Sequence, residues 1–334
     1  MLCQRQGVGQ MKQTEARKRI EARLVDAERR CRCLVPADNA ERELLRRAMR
    51  AEEVVRPFTG MYMRSATWTA LADKPRMRWR YIQNTYTDLH PQEVLCSFSA
   101  ALDYGLWVSK RHLDAIHIAS CGQGHGRRGP EIHRHECRVE DVDMDGAVLR
   151  TTIERTVLDC SVSVPFEDAL AIADSAARFC GLDADAFCRY LDRAGKGRHG
   201  IAKAYRVAQY MDGRSESGGE SIVRAKIIDL GFAPPTLLQA EFVDPIDGGL
   251  IRVDMYYELD NGFRLIVEVD GMGKYGSAND FGAEIRRRLV AERQRESHIS
   301  ALGIPVMRVQ FSRVYEAGYL EHLLESFGVP RAGA

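Results

Sequence analysis

Polar and apolar positions change their rhythm twice along the chain. Residues 12–31 are polar and Arg-rich, with Ile20, Leu24 and Ala27 at helical spacing. The turn signal Pro36-Ala37-Asp38-Asn39 follows, and Asp38 or Asn39 can cap a second helix over 41–52, whose apolar face holds Leu44, Leu45, Ala48 and Met49. Two short β-prone arms around Thr59-Gly60 then predict a hairpin. Helix, turn, helix and hairpin is the order of a winged helix-turn-helix, in which one helix enters the DNA major groove. A small helical cap with a surface hairpin has the same pattern. From 66 to 212 helices and strands alternate. A short helix over 97–106 stops at a glycine, strands are expected over 115–119 and 131–137, and a Gly- and Arg-rich loop separates them. Thr151-Thr152-Ile153-Glu154 has the form of a capping box opening a helix over 155–163, and 165–179 is a further amphipathic helix. The glycines between 213 and 219 mark a domain boundary. Beyond it the pattern predicts a helix (220–230), three strands (236–243, 250–259, 263–269), a long charged helix (280–302), a strand (305–311) and a final helix (314–327). That order is a compact α/β domain.

The fold class expected is therefore α/β (α+β) in three parts: 1–65, a winged helix-turn-helix with an N-terminal extension; 66–212, an α/β domain; and 213–334, a second α/β domain. With 334 residues there is room for all three, and a charged fraction of 28% excludes wholesale disorder. No run approaches the roughly 18 apolar residues of a membrane span, and Met1-Leu2-Cys3-Gln4-Arg5 opens without an apolar signal region. A cytoplasmic protein with no membrane partner is expected. Nine scattered cysteines with no Cys-x-x-Cys fit buried thiols better than a disulfide scaffold. The near-neutral total hides an asymmetry. Residues 1–90 carry 19 Lys and Arg against 11 Asp and Glu, residues 91–214 carry 16 against 18, and residues 215–334 carry 13 against 18. A basic head suits a polyanion such as DNA, with Arg46, Arg47, Arg50 and Arg56 on the second helix and hairpin as candidate contacts.

The chemistry-bearing residues lie in the last part. Glu268 and Asp270 are two apart on one strand and share a face. Asp254 joins them only if the hairpin register sums to 522, which a three-residue loop at 260–262 provides with Gly262 in the left-handed position. A two-residue turn gives 523 and turns Asp254 to the other side. Converging carboxylates among β-branched residues suit a hard divalent cation, Mg²⁺ or Mn²⁺, that activates water against a phosphate ester. Lys274, Arg288, Arg293 and Arg295 are candidates to steady the leaving oxygen.

Residues 217 to 313 resemble the PD-(D/E)XK nuclease fold, in particular its branch similar to very-short-patch-repair (Vsr) endonucleases. The resemblance rests on Ser217-Gly218-Gly219-Glu220-Ser221 opening a helix, Gln239 on the next strand, and Arg252-Val253-Asp254. It extends over Val267-Glu268-Val269-Asp270-Gly271 with Lys274-Tyr275, and Glu292-Arg293-Gln294-Arg295-Glu296 before Leu302-Gly303. It implies a restriction-endonuclease-like domain with a central mixed sheet. It also implies metal-binding acids at Asp254 and Glu268, Glu220 as the helix acid, and Gln239 and Glu292 in support. Arg295 and, from the charge run Arg286-Arg287-Arg288 that can face DNA phosphates or water, Arg288 are candidate DNA contacts. Asp270 stands where the family has the lysine of Glu-x-Lys, so Asp270 is a third metal candidate and Lys274 the replacement base partner. The first two thirds resemble the antitoxins of AbiE-type (type IV) toxin–antitoxin systems. The matching stretches are 44–63, Cys96-Ser97-Phe98-Ser99-Ala100-Ala101-Leu102-Asp103-Tyr104-Gly105-Leu106, 129–133, and Thr151 to Asp159. This implies DNA binding through the winged helix, autoregulation of transcription, and a toxin or regulatory protein as partner.

Other signals are weaker. Zinc on His133, His135 and Cys137 is disfavoured because a single strand spreads them over roughly 13 Å. Cys31-Arg32-Cys33 lacks metal spacing, and the glycines at 122–126 lack the Lys-Ser/Thr of a phosphate loop. Two readings follow: a DNA-binding Mg²⁺-dependent endonuclease, or an antitoxin-like regulator whose nuclease fold does not cleave.

Overall fold

The computed structural model describes residues 2–120, 130–143, 148–271 and 282–333, and of 2–14, 282–289 and 292 the backbone alone. Lys274 lies outside the described residues. The chain divides into two compact units, Met1–Thr156 and Val157–Ala334. No helix among the described residues is long and apolar enough to cross a membrane.

The first unit opens with α1 (Leu2–Arg29) and α2 (Asn39–Arg50), then the antiparallel hairpin β1 (Val54–Phe58) and β2 (Met61–Arg64). Asp38 caps α2 by accepting from the Glu41 N–H at 2.8 Å, while the Glu41 carboxylate accepts from Ala37 N–H. Gly60 turns the hairpin with φ +77. The buried faces of α1 and α2 meet β1 and β2 through Ile20, Leu24, Leu45, Val54 and Tyr62. The helix–turn–helix–hairpin order is thus as the pattern predicts. Beyond it lie α3 (Ser65–Ala70), α4 (Pro75–Leu89), β3 (Val94–Leu95), α5 (Ser97–Asp103), β4 (Ile116–Ser120), β5 (Ile132–Glu136), β6 (Val142–Asp143) and β7 (Arg150–Thr151). Five strands form a mixed sheet in the order β5-β4-β3-β7-β6. The next helix, α6 (Ile153–Ser163), starts two residues earlier than the sequence suggests; Thr152 Oγ1 accepts from Arg155 N–H at 3.4 Å, while the Thr151 hydroxyl bonds that of Thr156 at 2.8 Å.

The second unit continues with α7 (Phe166–Cys180), α8 (Ala184–Ala194), α9 (Ile201–Tyr210) and α10 (Gly218–Asp229). The glycines at 213–219 do not separate two bodies. Arg224 on α10 donates to both oxygens of Asp174 on α7, at 2.9 and 2.7 Å, and to the Tyr210 carbonyl at 2.6 Å. Both side chains are buried, so α7 to α9 belong with the C-terminal sheet. That sheet is β8 (Leu237–Val243), β9 (Leu250–Glu258), β10 (Arg264–Asp270) and β11 (Val306–Gln310), ordered β11-β10-β9-β8. Its first three strands run antiparallel and β11 runs parallel to β10, making the sheet mixed. The long helix α11 (Gly282–Ala301) crosses from β10 to β11, and α12 (Tyr319–Ser326) closes the chain. Leu265 and Val267 face Ile222, Val223 and Ile227 of α10 and Leu320 and Leu324 of α12. Ile266, between them, packs toward Ile299 of α11. Helices on both faces explain why β10 reads as a near-continuous apolar run.

Candidate functional site

The hairpin register decides whether the acids can meet. Leu259 N–H donates to the Phe263 carbonyl at 3.1 Å and Gly262 N–H to the Leu259 carbonyl at 2.9 Å, closing a three-residue loop with Gly262 at φ +84. The pairs Leu265 with Tyr257, Ile266 with Tyr256 and Val267 with Met255 all sum to 522. Asp254 is therefore the next residue opposite Glu268. There the backbone ladder gives way to side chains. The Asp254 Oδ2 accepts from Val269 N–H at 2.8 Å, and Asp254 N–H points to Glu268 Oε1 at 3.4 Å. Two carboxylates from adjacent strands are thus brought to one place, each tied to the other's strand.

On the far side of β9, Gln239 falls between the pairs Leu238 with Met255 and Ala240 with Val253, hence opposite Asp254. Its φ of +53 is left-handed, a conformation that costs a non-glycine residue on the order of 1–2 kcal/mol. Strain of that kind collects at functional positions. Its side chain donates from Nε2 to Glu220 Oε2 at 2.9 Å. Glu220 is the third residue of α10, and its carboxylate also accepts from Ser217 Oγ and Glu216 N–H, both at 2.8 Å, while Ser217 Oγ accepts from Glu220 N–H at 3.2 Å. That reciprocal pattern is a variant of the capping box in which the carboxylate reaches the N–H one residue before the cap. Glu220 is a buried cap tied to Gln239, which stands opposite Asp254 on the neighbouring strand.

Arginines counter these acids. Arg295 on α11 donates to Glu268 Oε2 at 2.7 Å and Oε1 at 3.3 Å, and to the Arg252 carbonyl at 3.0 Å. The Glu268 side chain is 3% exposed and that of Arg295 36%. Expected to face DNA, Arg295 instead grips the carboxylate. Asp270 pairs with Arg308 at 3.3 Å, and Arg308 also meets Glu296 at 3.2 Å. Arg288 and Glu292 lie on α11, but their side chains are outside the described residues.

Among the described residues the one group of three ligand-bearing side chains within 4.8 Å of one another is Asp244, Asp247 and His298, which could hold a metal ion. It is not the trio Asp254, Glu268 and Asp270 that the sequence pointed to. Asp244 and Asp247 flank the turn between β8 and β9, and His298 comes from the last turn of α11. Burial works against the Asp244 carboxylate, but the Ile246 N–H and the His298 ring hold it below the usual range. The Asp-Pro-Ile-Asp-Gly-Gly turn was the visible trace of this group.

In the first unit, Arg46, Arg47, Arg50 and Arg56 are all exposed. Arg46 and Arg47 lie 3.6 and 3.5 Å from Glu43, whereas Arg50 and Arg56 have no ion pair among the described residues. The parallel pairing of β4 with β5 sets His117 beside His133 and brings His117 Nδ1 to 2.8 Å from His135 Nε2. Cys137 Sγ donates to the Arg138 carbonyl at 3.3 Å, and among the described residues His133, His135 and Cys137 do not form a group at metal-ligand spacing. The buried Cys33 thiol is pushed up to about 12 by desolvation, which makes it unreactive.

Fold and geometry together define a mixed four-stranded sheet between helices, with a carboxylate pair where its two central strands part. No family model matches the chain, and no curated protein matches it in sequence.

Proposed function

We propose that the chain is a DNA-binding endonuclease whose C-terminal unit hydrolyses phosphodiester bonds with Mg²⁺ or Mn²⁺. The observation that carries this reading is the 522 register, which sets Asp254 against Glu268 on neighbouring strands. Their oxygen donors suit a hard cation in kind. An ion held by Asp254 and Glu268 would lower the pKa of a bound water and offset charge at phosphorus. Asp270, at the same end of β10, is the third acid within reach of that face. Gln239 and Glu220 hold the neighbouring strand in its strained geometry, and so position Asp254. Arg295 must leave Glu268 for an ion to enter, and its guanidinium would then be available to a phosphate oxygen. The exposed Arg46, Arg47, Arg50 and Arg56 are suited to phosphate contacts in a winged-helix mode. Such a protein would act in the cytoplasm, with a toxin or regulatory protein as the partner that the resemblance implies.

A second reading has its own support. Glu268 is already neutralised by Arg295, and Asp270, in the usual lysine position, is neutralised by Arg308. A regulator that binds DNA without cutting it needs nothing more. Incubating supercoiled plasmid with the protein in EDTA and in Mg²⁺ or Mn²⁺ separates the two. Metal-dependent nicking supports the enzyme, and a salt-sensitive gel shift with intact plasmid supports the regulator.

A further inference from the structure

We propose that Asp244, Asp247 and His298 form a binding site for a late first-row divalent cation of the Zn²⁺ class, built on residues other than the Asp254–Glu268 pair. The three come from two elements that only the tertiary fold brings together, the β8–β9 turn and the end of α11. What distinguishes them from a mere acidic turn is the direction of their donors. Each carboxylate spends one oxygen on the backbone of its own turn. Ile246 N–H donates to Asp244 Oδ1 and Gly249 N–H to Asp247 Oδ1, both at 2.8 Å. The second oxygen of each is turned toward the ring. Asp244 Oδ2 is in hydrogen-bond contact with His298 Nδ1, and Asp247 Oδ2 lies 4.0 Å from the same nitrogen. Two Oδ2 atoms and one imidazole nitrogen therefore face a common centre.

The spacing is close to what such an ion needs. With metal–ligand bonds of about 2.0–2.2 Å, tetrahedral neighbours stand roughly 3.3–3.6 Å apart. The ring must back away from Asp244 by about one ångström, and Asp247 must close by about half an ångström. Asp247 can do so, because its side chain is 61% exposed. The open side leaves the fourth position to water. The imidazole selects the metal: it suits Zn²⁺ and its neighbours, whereas Mg²⁺ prefers oxygen alone. The turn also lacks an apolar anchor, since Val243, Ile246 and Leu250 are all exposed. Polar contacts hold this tip, and an ion linking it to α11 would fasten it.

The test uses the full chain freed of metal with EDTA. Zn²⁺ is titrated calorimetrically and Co²⁺ by its visible absorption, with melting temperature followed in parallel. Wild type binds one Zn²⁺ at this site, gains thermal stability, and gives Co²⁺ bands of tetrahedral character. Asp247→Asn keeps the turn hydrogen bond, so it folds, and its Zn²⁺ affinity falls at least about tenfold, as expected for loss of a charged ligand. His298→Gln removes the Co²⁺ bands. The pair Asp254→Asn and Glu268→Gln leaves both signals unchanged, so this outcome is independent of whether the protein cleaves DNA. The proposal is overturned if Zn²⁺ neither binds nor stabilises wild type, or if Asp247→Asn responds to Zn²⁺ and Co²⁺ as wild type does. Either result would make the trio a hydrogen-bonded clasp between turn and helix.

Discussion

Replacing Arg295 by alanine tests the link between α11 and the acid pair. The substitution removes two donors to Glu268 and one to the Arg252 carbonyl. Breaking a fully buried ion pair costs about 3–5 kcal/mol, whereas an exposed pair is worth about 0.2–1 kcal/mol. Glu268 is 3% exposed and Arg295 36%, which places this pair between those limits, at about 1.5–3 kcal/mol. A cycle of Arg295→Ala, Glu268→Gln and the double variant isolates the pairwise part, expected at about 1–2 kcal/mol. The two units need separate probes, because a chain with two compact bodies need not unfold in one step. Trp68, Trp79 and Trp107, the three tryptophans of the chain, all lie in the first unit. In urea, tryptophan fluorescence therefore follows residues 1–156 and far-ultraviolet circular dichroism follows both. Arg295→Ala should move the dichroism midpoint and leave the fluorescence midpoint in place. The same variant should take up Mn²⁺ more readily at Glu268, because a competing positive charge is gone. A coupling energy below about 0.3 kcal/mol, within the scatter of independent sites, with unchanged Mn²⁺ uptake, would refute the reasoning.

Three further outcomes follow from the same geometry. Arg224→Ala strands the buried Asp174 carboxylate and should cost the second unit about 3–5 kcal/mol in urea unfolding, while Arg178→Ala, whose contacts are exposed, costs little. Gly262→Ala meets no atom within 4 Å, so its cost is conformational, about 1–2 kcal/mol from holding φ near +84, and amide exchange should show the 522 register intact. The Asp244 carboxyl sits below its unfolded range, so its contribution to stability is present above the unfolded value near pH 4 and is lost as pH falls through the lower folded one. Asp244→Asn should flatten the acid limb of a stability–pH curve measured in EDTA.

The parts of the fold that were legible in the sequence are those set locally. Asp260-Asn261-Gly262 narrowed the hairpin to two registers, and the three-residue loop that forms selects the one that places Asp254 against Glu268. Asp38 as a cap and glycines as helix stops are equally local. What stayed hidden depends on how elements meet. Nothing in the sequence gives the phase of α11 about the sheet, so Arg295 read as a DNA contact and not as the partner of Glu268. The parallel offset of β4 and β5 that joins His117 to His135 is a tertiary choice, and so is the 54-residue step from Asp244 to His298. The boundary expected at 213 failed to foresee that Asp174 and Arg224 would bury a charge pair across it.

The most direct test of the central claim is plasmid cleavage by wild type, Asp254→Ala and Glu268→Ala, each shown to be folded by circular dichroism, in EDTA and with Mg²⁺ or Mn²⁺. The account predicts nicking by wild type only with metal, and its disappearance in both variants. Metal-dependent nicking that survives both substitutions, or none by a folded wild type that still binds DNA, would contradict it.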